Sequence, residues 1–576
     1  MQNHDKMPTR LPIIRERNSR LSPFIKKALF IFLLAEIILA VMNVYVYFGG
    51  FDGDPLIHMS FAENASRGRW FRFNPDEPVS GVTSFFWMFA GALGWSLAGI
   101  KGCLIIYDGL ILLSWLGGAV CLGYFVFNWG GNRIFGILAG ALYLGYPGIA
   151  ANGLTGMENM TFDCFVNVFI LVYGFFAEKR KLRARRTALQ VGLCVILALI
   201  VLTRPEGIVV VAAFAAVEIG LMLSPKNRED IGGRIKSLCF IGAVFALIVM
   251  PFGIFHYAVT HKIIPGSGVA RLMHSRRLST SFHLLGPLWF YPRTLARLII
   301  YLPVAVGLGL AACRLLLRRP SASSDRRWLP GCPSLHLSVW TAVLGVGFYS
   351  FVTGAVHTNR YTIWIVGLST AIFFSMAGRI LLNDERVKLL PTLVLAGIFW
   401  MAIVSFGEGL FRLNRGDHKK LLRWEAVIET VKNREKQSDE LIQRLESEGC
   451  RIGPKKVGVL LQEIQVRLAY DDRITIFSRD GRTQDLRYDR SGCPDLGPIL
   501  KNPDLMVIMD DINGGTIQGC IKDEAGLKLA ELYENPHVLE TDQWKKVWLR
   551  SFQKSEGQGS AARASDSFPI LIRKCR

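Results

Sequence analysis

Apolar runs long enough to cross a lipid bilayer recur through the first 410 residues, and they limit the possible folds more than any other feature. A helix crossing the hydrocarbon core needs about 20 mostly apolar residues. It must be a helix, because no backbone polar group can go unbonded there. Such runs occupy residues 28–48, 105–127, 134–150, 158–177, 188–203, 207–223, 237–256, 295–313, 335–353, 361–377 and 389–409, and 82–98 is one more. The first is too long for a cleaved signal peptide and lacks a small-residue cleavage site after it.

The texture changes after Arg415. Of 67 Lys+Arg and 46 Asp+Glu in the chain, residues 415–576 hold 28 and 26, leaving 39 and 20 for residues 1–414. The net charge of +21 therefore resides almost wholly in the apolar part. This split excludes one soluble globular domain, a disordered chain and a coiled coil. The basic excess does not call for nucleic acid, because Lys and Arg accumulate in the cytoplasmic loops of membrane proteins.

Those loops orient the bundle. Arg15, Arg17, Arg20, Lys26 and Lys27 precede the first span, and basic clusters recur at 179–186, 226–236, 314–327 and 379–388. With these inside, segments 49–81, 151–157, 204–206, 257–294, 354–360 and the tail fall outside. The alternation holds only if 82–98 and 105–127 contribute one full crossing between them. The expected architecture is therefore a polytopic α-helical membrane protein of about 11 transmembrane helices with a small C-terminal α/β periplasmic domain. Residues 1–27 form a cytoplasmic segment, 28–414 the membrane body and 415–576 the outer domain. In the tail, residues 421–447 have helical spacing. Short strands are expected at 456–461, 473–477, 505–509, 538–540 and 568–572, with a helix at 524–533. Cys450, Cys493, Cys520 and Cys575 would be able to form one or two disulfides outside the plasma membrane. No zinc-ligand spacing and no GxxxxGK[ST] phosphate loop occurs.

Charges at span edges on the outer side are the candidate chemistry. Asp52 and Asp54 flank Gly53 directly after the first span, where an acid is costly unless solvated, paired or metal-bound. The plainer alternative is a turn, with Asp54 capping a helix at 55–66. That helix would set Leu56, Ile57, Met59 and Phe61 against His58, Glu63, Asn64 and Arg67, as in a segment lying along the outer leaflet. Glu158 opens a span, Arg204 and Glu206 flank the helix-breaking Pro205, and Arg360 starts a span. For each the plain alternative is snorkelling or a local ion pair. Loop 257–294 carries Lys262 and Arg271 against the positive-inside trend, which an anionic phosphate ligand would explain.

These pieces resemble the GT-C superfamily of polyprenyl-phosphate-sugar-dependent membrane glycosyltransferases, in particular the bacterial branch with the terminal arabinofuranosyltransferases. The matching motifs are Asp52-Gly53-Asp54, then Phe61-Ala62-Glu63-Asn64, then the FNPxExVxGxTSxxW stretch from Phe73 to Trp87. Gly156-Met157-Glu158, Thr203-Arg204-Pro205-Glu206-Gly207 and Arg360-Tyr361 follow in order, and the likeness spans about residues 28–410. Many relatives have adjacent Asp-Asp. Aligned from Phe61-Ala62, Asp54 takes the second position and Asp52 is displaced by one.

The resemblance implies an enzyme of the outer face of a bacterial plasma membrane. It would move a sugar from a polyprenyl-phosphate donor to a hydroxyl of an envelope glycan or lipid, inverting the anomeric carbon, with membrane lipids as neighbours and no nucleic acid. Asp54 is the candidate base, with Asp52 beside it. Glu158 would orient the acceptor or, with Asp54, hold a divalent cation such as Mg or Mn, as in some members. Arg204, Glu206, Lys262, Arg271 and Arg360 are the candidate substrate-binding groups, the cations among them stabilising the leaving phosphate. A transporter is the alternative, although no inverted repeat is visible. A non-catalytic envelope-assembly protein is another.

Overall fold

The computed structural model describes residues 23–51, 53–130, 132–178, 183–223, 231–262, nine residues between 334 and 345, 363–383, 389–416, 421–447, 449, 450, 452, 457–461, 471–478, 505–509, 544–550 and 567–573. The membrane body begins with α1 (Pro23–Tyr47). Strand β1 (Gly50–Phe51) and helix α2 (Gly53–Ser66) follow it. Then come α3 (Phe85–Gly130), α4 (Arg133–Gly145), α5 (Pro147–Gly153), α6 (Asn159–Glu178) and α7 (Arg183–Thr203). A 3₁₀ turn, Pro205–Gly207, leads into α8 (Ile208–Leu223) and α9 (Ile231–Thr260). Helices α10 (Ile363–Asn383) and α11 (Leu389–Arg415) complete the body.

Among the described residues α1, α3, α6, α8 and α9 are long and apolar enough to cross a membrane. Helices α4 and α5, bent by 53°, make a sixth candidate if counted together. The bend falls at Tyr146, whose extended backbone precedes Pro147 at the start of α5, as the ring of a proline requires. Large apolar side chains such as Phe30, Ile31, Val41, Leu113, Val120 and Leu247 face outward from these helices, as lipid contact requires.

The doubled apolar run at 82–127 folds back on itself. Ala98 and Gly99 leave helical geometry inside α3, and Gly99 takes a positive φ of 59°. A side chain at Gly94 would meet the backbone of Gly102, and one at Gly91 would meet the hydroxyl of Tyr107. Such contacts need two antiparallel segments. The stretch before the break, 85–97, covers about 20 Å at the helical rise, short of a ~30 Å hydrocarbon core. The remainder, 100–130, is long enough.

The tail opens with β2 (Leu422–Arg423), α12 (Trp424–Lys432) and α13 (Arg434–Ser447). Strands β3 (Val457–Leu461), β4 (Ile474–Ser478), β5 (Leu505–Met509), β6 (Trp544–Arg550) and β7 (Ser567–Arg573) form one sheet in the order β4-β3-β5-β7-β6. β4, β3 and β5 run parallel, and β7 joins β5 and β6 antiparallel. Four of the five expected strands are thus present within a residue or so. Strand β6 went unanticipated, and residues 538–540 and 524–533 lie outside the described residues.

One expectation needs correction. Helix α2 does not lie along the outer leaflet: every residue from Pro55 to Ala65 is buried, polar ones included. The tail packs against the segment that follows α1. Ile57, Phe61, Phe71, Phe73, Val79, Val82 and Met88 share a hydrophobic core with Leu441, Leu445, Val457, Val459, Ile474 and Ile476. The membrane body covers one face of α2 and the tail covers the other, so the mixed sequence pattern of this helix is that of an element enclosed on all sides.

Candidate active site

The segment between α1 and α3 is braced by hydrogen bonds. Asn64 donates to the carbonyls of Arg72 and Phe73, closing the turn after α2. Asn74 exchanges two hydrogen bonds with the backbone of Ile476, at 2.8 and 2.9 Å, and so extends the edge of the tail sheet. Glu63 accepts from Arg67 and Arg434, and Arg69 pairs with Asp472 at 3.0 Å. The Ser84 hydroxyl accepts from the Trp87 N–H and caps α3. Trp87 stacks on Tyr107 at 4.5 Å and donates its indole N–H to the Gly156 carbonyl.

This frame carries α2 to the start of α6. Gly156 has a positive φ of 86°, and any side chain there would run into Phe51 and Pro55. Only glycine lets the loop pass so close and still turn into α6. Glu158 then stands, 2% exposed, over the N-terminal end of α6, where the helix dipole favours a carboxylate. Arg204 bonds Glu158 at 3.1 Å, Glu206 at 3.0 Å and the Asn159 side chain, and lies 6.0 Å from the ring centroid of Phe162. His58 of α2 approaches the second Glu158 oxygen at 3.7 Å. Asp54 lies one helical turn before His58, in the first turn of α2, and is half-buried.

A second group of aromatic residues meets the same loop from α9. Trp70 and Phe71 contact Phe255, and Phe71 and Phe85 contact the His256 ring. Lys262 follows directly after α9, is exposed, and donates its backbone N–H to Thr260 at 3.3 Å.

A scan of protein-family models and a search of curated protein sequences return no match. Solved structures do match in fold. The Archaeoglobus fulgidus oligosaccharyltransferase, crystallised with Zn and sulfate, aligns at TM-score 0.53 and 16% identity, covering 88% of this chain and 70% of that one. ArnT from Cupriavidus metallidurans in the apo state aligns at TM-score 0.50 and 12% identity, covering 96% and 98%. The same ArnT bound to undecaprenyl phosphate aligns at TM-score 0.49 and 11% identity, covering 95% and 97%. This chain has a GT-C fold.

Within that fold, His58, Glu158, Arg204 and Glu206 converge, although 148 residues separate the first from the last, and Asp54 lies one helical turn before His58 on α2. Lys262 is placed just past the C-terminal end of α9 instead. Asp52, Arg271 and Arg360 lie outside the described residues. Arg204 sits between two carboxylates and is 4% exposed, so its charge is already matched within the protein. That geometry assigns it to holding Glu158 in place more directly than to meeting a phosphate. It also tests the cation expectation. Glu158 gives one oxygen to a guanidinium and faces an imidazole with the other, which is a poor setting for a second positive charge. Among the described residues no group of three or more His, Cys, Asp or Glu side chains is arranged to hold a metal ion.

Two participants were not singled out from sequence. His58 was visible only as part of a polar face; its spacing of four residues from Asp54 was the available signal. Asn159 had none beyond its place next to Glu158. Deeper in the body, Tyr143 donates to Asp163 at 2.5 Å, Asn167 donates to Asp163 at 3.1 Å, and Ser114 bonds Thr161 at 3.1 Å. Buried polar groups of this kind must be satisfied internally in an apolar solvent.

Proposed function

We propose that this protein is a glycosyltransferase of the GT-C type. It would move a sugar from a polyprenyl-phosphate donor to a hydroxyl of an envelope glycan or lipid at the outer face of a bacterial plasma membrane. We rest this on one observation above the others: the helix that carries the half-buried Asp54 in its first turn meets the Glu158–Arg204–Glu206 network through His58, one turn further on. The motif resemblance of residues 52–87, 156–158 and 203–207 points the same way.

In the proposed reaction the acceptor oxygen attacks the anomeric carbon as the bond from that carbon to the phosphate oxygen breaks. The acceptor proton passes to the Asp54 carboxylate, and the bonding electron pair leaves with the polyprenyl phosphate. A single displacement inverts the anomeric centre. Lys262, Arg271 and Arg360 are the proposed cations for the departing phosphate. Glu158 and Glu206 would bind acceptor hydroxyls. If a divalent cation such as Mg or Mn takes part, Asp54 is the carboxylate proposed for it, and no step is routed through it.

The proposed orientation, with the tail periplasmic, has two supports. Basic loops gather on the opposite side, and Cys450 is disulfide-bonded, which fits an oxidising compartment. The test is Asp54→Asn, with sugar transfer measured in membranes. Transfer should fall by about 10²–10⁴-fold. Near-normal transfer in Asp54→Asn with complete loss in Glu158→Gln would overturn the assignment of the base. Substrate uptake without any transfer would support a transporter instead.

A further inference from the structure

We infer that the segment Leu421–Trp424, at the start of the tail, is a positioning strap for the loop that leads from α1 into α2 and Asp54. It would make the tail a working part of the active site, not a cap over it. The inference rests on the proposed transferase reading and adds residues to it.

The strap is held at four points, on the loop, on the end of α1 and on α3. Leu422 and Arg423 form β2 and pair antiparallel with β1, in the register Gly50↔Arg423 and Phe51↔Leu422. The Arg423 guanidinium donates to the carbonyls of Phe48 at 2.9 Å and Val46 at 2.8 Å. These are carbonyls at the C-terminal end of α1, which lack helical partners and attract a cation. The Trp424 indole N–H donates to Asp108 of α3 at 2.7 Å. Leu421 packs so tightly on Gly50 that a β-carbon there would lie 2.9 Å from its methyl group.

Those contacts reach Phe51, three residues before Asp54. Gly49 turns with a φ of 71°, between the Asp108 and Trp424 side chains. Phe51 is fully buried, bonded through its backbone to the strap and packed by its ring on Gly156, two residues before Glu158. The strap therefore fixes both the start of α2, with Asp54, and the loop that delivers Glu158. A two-residue strand pair between otherwise unconnected elements is too short to stabilise a sheet, whereas it sets a backbone position well.

Arg423 and Trp424 are thus positioning residues. The variants are Arg423→Met, which keeps the stem and deletes the donors, and Trp424→Phe, which keeps a ring and deletes the N–H. Each is made in the full chain in detergent micelles. Hydrogen exchange of the peptide covering 48–56 should quicken about tenfold or more, while peptides from α6 and from β3 and β4 keep wild-type exchange. With an undecaprenyl-phosphate sugar as donor, kcat should fall by about 10²-fold with KM for the donor little changed, the signature of misplaced groups. Unchanged exchange at 48–56 in both variants would overturn the strap. So would faster exchange with unchanged kcat. Loss of protection throughout the tail would show a purely structural role and overturn it too. A wild-type protein that transfers nothing from polyprenyl-phosphate sugars would instead refute the proposed function, a separate outcome that the exchange measurement does not depend on.

Discussion

Replacing Arg204 with Met should destabilise the protein more than any single change to its two carboxylate partners. The guanidinium lies 3.1 Å from Glu158 and 3.0 Å from Glu206, and all three side chains are nearly excluded from solvent. At an effective dielectric constant near 20, each contact gives about 5 kcal/mol of attraction. Desolvation of the three ions offsets most of this, at several kcal/mol per ion. Methionine keeps the apolar stem and removes the charge, which leaves two carboxylates buried without their cation. Breaking a buried ion pair in this way costs about 3–5 kcal/mol. The triple variant Arg204→Met, Glu158→Gln, Glu206→Gln removes the charges together and should recover most of that loss. Cys103, Cys164 and Cys194 are free and buried, so a thiol-reactive dye reports unfolding of the membrane body in detergent. An Arg204→Met midpoint within about 1 °C of wild type would refute the reasoning. So would a triple variant less stable than the single one.

Three further outcomes are expected. Gly156→Ala should lower stability by at least about 1–2 kcal/mol, because φ is 86° and the new methyl meets Phe51; a wild-type thermal midpoint would contradict it. Asp471 is held below the ordinary carboxylate value of 3.8: burial raises it, but hydrogen bonds from Arg473 and attraction to that charge lower it by more. Its stabilisation is present above that ordinary value and is lost as pH falls through the lowered one, so Asp471→Asn should cost up to about 1 kcal/mol at pH 7 and less near pH 2. An equal cost at both pH values, read from thermal midpoints, would contradict the coupling. Peptide mapping without reductant should find Cys450 cross-linked, and Cys103, Cys121, Cys164, Cys194 and Cys239 alkylated once the chain is unfolded. Alkylation of Cys450 in that experiment would contradict the disulfide.

Much of the site was legible because its residues stand at span edges. A charge at that depth is conspicuous against apolar sequence, and Asp54, Glu158, Arg204 and Glu206 were found that way. Their partners were not. Nothing in the spacing of Arg204 pairs it with a carboxylate 46 positions earlier, and the same charge served equally well in sequence as a phosphate ligand. Helix α2 was misjudged for a related reason. Its alternation of apolar and polar residues suits a membrane surface, but its polar side chains are bonded by the tail and by the loop that follows.

The sequence by itself determined the apolar helices of the membrane body, the change of texture between body and tail, and four of the tail strands. Each of these follows from local composition and period, since a bilayer admits only long apolar helices and a pleated strand exposes alternate faces. The tertiary structure decided what touches what. It turned Arg204 from a free cation into a buried brace, folded the run at 85–97 back at Gly99, and joined the tail to the first loop through Arg423, Trp424 and Asn74. Those contacts join residues up to 402 positions apart, and at that separation only the packed chain brings the groups together.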